Sequence, residues 1–517
     1  MHVPPLPPAN SREVSRHPRG LYTLFFTEMW ERFSYYGMRA LLVLFMVDAV
    51  QNGGLGLDDK TATAIYGLYT AFVYLVSLPG GWIGDRLLGA QRSVWIGGII
   101  IAAGHFMLAI PSGSTFFLGL IVIVVGTGLL KPNMSVMVGH LYPEGGARRD
   151  AGFTIFYMGV NLGAAIGPLV CSFLGERFNW HYGFAAAGVG MVFGLVQFKL
   201  SARHLGEAGL HPHHRNNGGA PSGFDRAWYF VAAGLALLAL AVALVWQGVI
   251  PIQPLALAKS MKYVIMGIGA LFLLGIFAFG KLDSSERLRI GAILVLLIAA
   301  AVFWSGFEQA GSSLNLFADR YTDRFVSAFQ FEIPTGWFQA LNPVFIIALA
   351  PVFASLWVGL ARRNLDLSIP GKFVVGLFQL ALGFLIIAGA ARIAVAGGKA
   401  QAAWLIATYL LHTTGEICLS PVGLSAVTKL APPRFVGQMM GMWFLATSLG
   451  NLMAGLFAGE MSGDNASEMP ATFLHIALQA LIAGAVLLVF IRPMKRMLSG
   501  SWQKASATHV PDSPSHP

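Results

Sequence analysis

Apolar runs long enough to cross a bilayer recur along this chain, each closed by a short polar, glycine- or proline-bearing break. A spanning helix needs about 20 such residues, and windows of that length predict about fourteen helices. Six lie within 21–200, beginning with Leu21–Asp48 and Thr61–Gly84. A polar stretch, 201–226, reads as a linker. Two apolar segments follow within 227–281, Ala227–Gln247 and Lys262–Lys281, with no charge between their ends; they read as an inserted hairpin packed on the outside. Six more fill 288–491, from Leu288–Leu316 to Ala471–Ile491. Residues 1–20 and 492–517 read as polar tails. The predicted fold class is an all-α polytopic membrane protein of two six-helix bundles plus a hairpin. Barrel strands would alternate over about 10 residues, a pattern this chain lacks.

Seven charges break the apolar pattern from inside it: Glu28, Glu31, Arg32, Arg39, Lys131, Glu308 and Glu416. Each costs roughly 2.5–3.5 kcal/mol at mid-membrane, so they mark an internal polar pathway. On the first helix, Glu28, Glu31, Arg32, Tyr35, Tyr36 and Arg39 follow 3,4-residue spacing and share one face. Glu28 and Arg32 are i,i+4 partners. Arg39 needs an anion from elsewhere. Glu308 and Glu416 each sit on a different helix of the second half. The first half thus offers mainly cations to the centre and the second only carboxylates, a polarity that suits a zwitterion. A carboxylate removed from water takes up a proton more readily, which makes these acids the candidates for proton binding.

Composition sharpens this picture. Hydrophobic residues make up 56% and charged residues 11%, far from soluble usage. The net charge of +10 reflects topology, not nucleic acid: Lys and Arg concentrate on the side holding both termini, which makes that side cytoplasmic and points to an inner (plasma) membrane. Cys171 and Cys418 lie in apolar helices and imply no disulfide.

Other motifs read structurally. Gly159-x-x-x-Gly163-x-x-x-Gly167 is a close-packing seam. Gly126–Asn133 surrounds Lys131 but lacks the Gly-Lys-Ser/Thr order of a phosphate loop; Pro132 loosens its helix and Asn133 can bond freed backbone groups. Asp85 and Arg86 end the second helix and read as a gate element at the cytoplasmic rim. His211, His213 and His214 read as a solvated linker, and Asn465-Ala466-Ser467 as a glycosylation acceptor pattern. No metal-protease or nucleophile-elbow motif is present, so no enzyme chemistry is expected.

Glu28-Met29-Trp30-Glu31-Arg32-Phe33-Ser34-Tyr35-Tyr36 resembles the E-x-x-E-R signature of proton-dependent oligopeptide transporters. Phe156-Tyr157-Met158-Gly159-Val160-Asn161, Gly415-Glu416-Ile417-Cys418-Leu419-Ser420-Pro421 and Gly128-Leu129-Leu130-Lys131-Pro132-Asn133 resemble further motifs of that family. The placement of buried ions on core helices one, four, seven and ten matches the nested repeats of the major facilitator fold.

The resemblance implies symport of di- and tripeptides with protons, no cofactor beyond the coupling proton, and a monomer in a lipid bilayer. Arg32, Tyr36, Arg39 and Lys131 would hold the peptide carboxylate. Asn161, Asn342 and Glu416 would hold its amino terminus. Tyr35, Tyr74, Tyr157, Trp304, Ser420 and Trp443 would line side-chain pockets. Glu28, Glu31 and Glu308 would couple protons, with Arg32 beside them and Lys131 pairing to the first-helix acids. Ionised Glu308 would hold a cation such as Arg39 and release it on protonation. The second-helix histidine of animal members falls at Gly67, and Phe307 stands where some relatives carry another acid. Alternatives on the same scaffold are nitrate, another small anion or a peptide-like drug as substrate. A nontransporting peptide sensor is the alternative from another class, and a channel is disfavoured because the ions are not arranged in rings.

Overall fold

The computed structural model describes residues 17–144, 146–212, 226–460 and 466–507, the side chains of 466 and 495–507 excepted. Residues 213–225 and Asn465 lie outside this set, and with them His213, His214 and the acceptor asparagine. Fourteen long helices carry the fold. They are α1 (Arg19–Val47), α2 (Asp59–Leu75, prolonged by Ser77–Ile83 and the turn Gly84–Leu88), α3 (Ala90–Leu108), α4 (Gly113–His140), α5 (Gly146–Arg177) and α6 (Trp180–Ser201). The inserted pair is α7 (Ala227–Trp246) and α8 (Pro254–Phe279). The remainder are α9 (Ser284–Phe307, resumed as Ser313–Tyr321), α10 (Leu341–Arg362), α11 (Ile369–Val395), α12 (Ala402–Leu430), α13 (Val436–Gly459) and α14 (Met469–Ala507). Among the described residues eleven helices are long and apolar enough to cross a membrane; α1, α3 and α12 complete the fourteen. The end of the molecule that holds Asp59, Glu176, Arg320 and Thr335 is called distal below.

Local chemistry sets the helix starts. The Asp58 carboxylate accepts from the Thr61 amide at 2.9 Å and caps α2, and the Thr61 hydroxyl and amide hold that carboxyl below its usual range. Asp283 and Glu286 form a reciprocal capping box on α9. Proline opens α8 at its first turn.

Three expectations need correction. The second hairpin helix begins at Pro254, not Lys262: Lys259 and Lys262 lie in its first turns, where long stems can carry their charges toward the interface. The last helix runs on through 492–507, past Pro493 and Gly500, because elongating an existing helix costs far less than nucleating one. The predicted unbroken helix Leu288–Leu316 is interrupted. Its α-helical ladder stops at Phe307, passes through a 3₁₀ turn at Glu308–Gly311 and resumes at Ser313.

The hairpin sits on the outside, as expected. α8 touches α2 and α13, while in α7 only Ala227 is buried. The glycine seam packs α5 on α1: a Cβ at Gly163 would meet the Met29 carbonyl, and one at Gly167 that of Phe33. Only glycine lets these two backbones approach so closely, and the contact fixes the rotation of the charged α1 face.

Candidate functional site

The stripe on α1 turns inward. Glu28, Glu31, Arg32 and Arg39 are all at most 6% exposed. The Arg32 Nε lies 3.1 Å from Glu28 Oε1 and also contacts Glu31; its guanidinium lies 5.4 Å from the Tyr35 ring centre. Arg39 finds its anion on α9: Nη2 is 3.0 Å from Glu308 Oε2, the pairing expected from the charges. The rings of Tyr36 and Tyr66 lie 5.4 and 5.9 Å from the Arg39 guanidinium. A buried pair of this kind is costly to break from either side.

Lys131 departs from expectation. Its ammonium lies 3.6 Å from the Tyr74 ring centre, and among the described residues it makes no ion pair with Glu28 or Glu31. Arg32 is the direct partner of both carboxylates, while the π face of Tyr74 holds the Lys131 ammonium. The Asn133 amide donates to the Leu129 carbonyl at 2.7 Å and reaches that of Gly80 in α2 at 3.4 Å; neither is the Gly128 carbonyl that Pro132 leaves without its amide.

On the other side, the Asn342 amide of α10 donates to Glu416 Oε2 of α12 at 2.9 Å and to the Thr413 hydroxyl at 3.1 Å. Trp304 packs edge-on against Phe307, 5.3 Å between ring centres, and Trp443 covers Gly423 of α12. Ser420 and Tyr74 are half-buried and Tyr157 is 47% exposed. Asn161 donates to the Tyr157 carbonyl at 2.9 Å within its own helix. Asp85 and Arg86 are exposed on the turn that ends α2, with Arg86 5.9 Å from the Trp82 ring centre. Gly67 has no room for a side chain, because a Cβ there would sit 3.0 Å from the Gly455 Cα of α13.

Sequence reasoning missed the residues that hold the break in α9. The Tyr66 hydroxyl of α2 reaches the Glu308 carbonyl at 3.5 Å, and the Tyr409 hydroxyl of α12 donates to that of Ala310 at 3.3 Å. Interrupted helices in apolar surroundings persist only where such groups satisfy the freed backbone. It also missed the distal cross-links between the halves. Arg320 grips Asp59 with two bonds of 2.7 and 2.8 Å. Glu176 accepts from the backbone amides of Thr335 and Gly336 at 2.6 and 2.9 Å, and the Trp337 indole donates to the Leu169 carbonyl at 2.9 Å. Among the described residues, the hydrogen bonds joining the two six-helix sets run from Ser448–Ala71 to this distal end. The signal available was a row of charges just outside the apolar windows, though nothing in the sequence says which pair.

Two six-helix sets enclosing a centre of buried, oppositely placed charges define a multi-pass membrane transporter scaffold. The family model described as PTR2, POT family, matches residues 91–473, so the chain belongs to the POT family. It is 44% identical to the peptide transporter YePEPT of Yersinia enterocolitica subsp. palearctica serotype O:3 (strain YE-P4), over 95% of this chain and 97% of that one. It is 37% identical to the di-/tripeptide transporter of Lactococcus lactis subsp. cremoris, over 93% and 96%. A crystal structure of a peptide transporter POT in complex with sulfate superposes with a TM-score of 0.86 at 41% identity, covering 93% of this chain and 96% of that one. The fold is accordingly that of the major facilitator transporters.

Proposed function

We propose that this protein is a proton-coupled symporter of di- and tripeptides, working by alternating access in an inner (plasma) membrane, as a monomer with both termini cytoplasmic. The observation that carries this reading is the Arg39–Glu308 ion pair, which bridges the two halves at the buried centre. A peptide carboxylate can replace Glu308 as the partner of Arg39 once Glu308 takes a proton. Binding of peptide and proton are then linked through one cation. Arg32, Tyr36 and Lys131 complete the carboxylate site. Asn342 and Glu416 on the opposite wall, together with Asn161 of α5, form the amine site. Tyr35, Tyr74, Tyr157, Trp304, Ser420 and Trp443 contact the peptide side chains. Glu28 and Glu31 pass protons beside Arg32, and Asp85 and Arg86 belong to the cytoplasmic gate. The names borne by the relatives support the substrate class. The distal cross-links support rocking of the halves about the centre, since opening at that end requires breaking them.

Uptake of labelled dialanine into liposomes holding the purified protein, with and without an inward proton gradient, tests the proposal. Accumulation above the external concentration only with the gradient is the expected result. Absence of dialanine uptake by folded protein removes peptide as the substrate.

A further inference from the structure

We infer that Gln309 is a positioning residue for Glu308, an assignment that rests on the proposed role of Glu308 in proton coupling. Gln309 follows Glu308 in the 3₁₀ break of α9 and is fully buried. Its carboxamide makes three bonds to three structures. The amide nitrogen donates to the Ser305 carbonyl at 3.3 Å, in the last turn of the first α9 segment. The same nitrogen donates to the Ala454 carbonyl of α13 at 3.2 Å. The amide oxygen accepts from the Ser313 hydroxyl, in the first turn of the second segment, at 2.5 Å.

One side chain therefore ties the helix before the break, the helix after it and a neighbouring helix of the same half. Tyr66 and Tyr409 hold carbonyls of the break from two further helices, but neither bonds the two α9 segments to each other. The position of the Glu308 carboxylate relative to Arg39 follows from the path of this backbone. A glutamine suits the place because the clamp needs a donor and an acceptor on one planar group with no charge of its own. A second charge beside Glu308 would compete for Arg39.

The test compares proton-driven accumulation of dialanine with gradient-free dialanine counterflow in liposomes, alongside thermal unfolding. Gln309→Met keeps the volume and removes all three bonds. The expected outcome is counterflow within about twofold of the parent protein while accumulation falls about tenfold. Ser313→Ala removes one bond and leaves the side chain at 309. Its accumulation is expected to fall about threefold with counterflow unchanged, and this arm decides the matter if Gln309→Met does not fold. Accumulation equal to the parent in both variants overturns the assignment. So does a parallel fall of accumulation and counterflow that tracks lost thermal stability, since that is what a merely structural clamp produces. If the parent protein itself accumulates nothing under the gradient, the proposed function fails and the role of Gln309 falls with it.

Discussion

The most apolar 18-residue stretches of α7 and α9 have equal mean hydropathy, yet 67% of the α9 stretch is buried and none of the α7 stretch. Between Tyr229 and Gln247, α7 carries no polar side chain. α9 carries Ser305, Glu308, Gln309, Ser312, Ser313 and Asn315, all buried. Lipid tails are as apolar as leucine, so apolarity gives no reason for one helix to seek another. What draws α9 into the centre is its need to satisfy polar groups. What leaves α7 at the edge is the absence of any. Average hydropathy reports that a segment inserts; its few exceptions report where it goes.

That contrast predicts its largest effect at Arg39, the partner of α9 across the halves. Arg39→Ala leaves Glu308 buried without a counter-ion, and breaking such a pair costs roughly 3–5 kcal/mol. Loss of both counterflow and accumulation, with a clear fall in melting temperature, is the expected result. Glu308→Gln keeps a neutral hydrogen-bonding group against Arg39 and is expected to separate the two activities: counterflow persists and gradient-driven accumulation disappears. Full accumulation by Glu308→Gln would break the link between this pair and the proton.

A second, smaller effect belongs to the distal end of α9. Arg320→Ala removes both bonds to Asp59, and hydrogen bonds to charged groups contribute roughly 1.5–3 kcal/mol. The closed distal end is then less favoured, so a cysteine-reactive probe should label Ser172→Cys faster than in the parent; Ser172 is buried beside Gly336 at the seam between the halves. An unchanged labelling rate would place the latch in other contacts. Next comes Tyr409→Phe, which removes one hydroxyl from the Ala310 carbonyl. The expected loss is about 1 kcal/mol, read as a shift of a few degrees in thermal unfolding. A shift as large as that of Arg39→Ala would mean that the break depends on this single bond.

The same contrast explains what the sequence disclosed. The helix count was legible from the lengths of the apolar runs, and the outer position of the hairpin, the α1 stripe and the Arg39–Glu308 pair because charges in lipid are rare and have few possible partners. The break in α9 was not. A continuous apolar run reads as a continuous helix, and the cause of the break lies in hydroxyls from α2 and α12 that only the fold brings near. Gln309 stood in plain view beside Glu308, a second polar residue where one already seemed to explain the site. Lys131 was legible in part. Counting charges paired it with the α1 acids, but the direct ion pair is made by Arg32, and the Lys131 ammonium lies on the ring face of Tyr74, which charge counting ignores. Asn342 and Glu416 were assigned to one role through resemblance, and their 2.9 Å contact joins helices whose registry no local pattern fixes.

The smallest effect is expected on α7 and is the sharpest check on the contrast. Leu237 is 66% exposed at mid-helix, facing what would be lipid. Leu237→Ala should change stability by no more than about 0.5 kcal/mol and leave dialanine accumulation as in the parent. The corresponding change at a buried α9 leucine, Leu296→Ala, opens a cavity and should cost roughly 2–5 kcal/mol. Thermal unfolding of both variants in the same detergent gives the comparison directly. Two leucines in stretches of equal mean hydropathy would then differ several-fold, and the difference would come from burial alone. If Leu237→Ala destabilised the protein as much as Leu296→Ala, α7 would have a packing partner in the membrane, and its outward face would be an interface and not a lipid-facing surface.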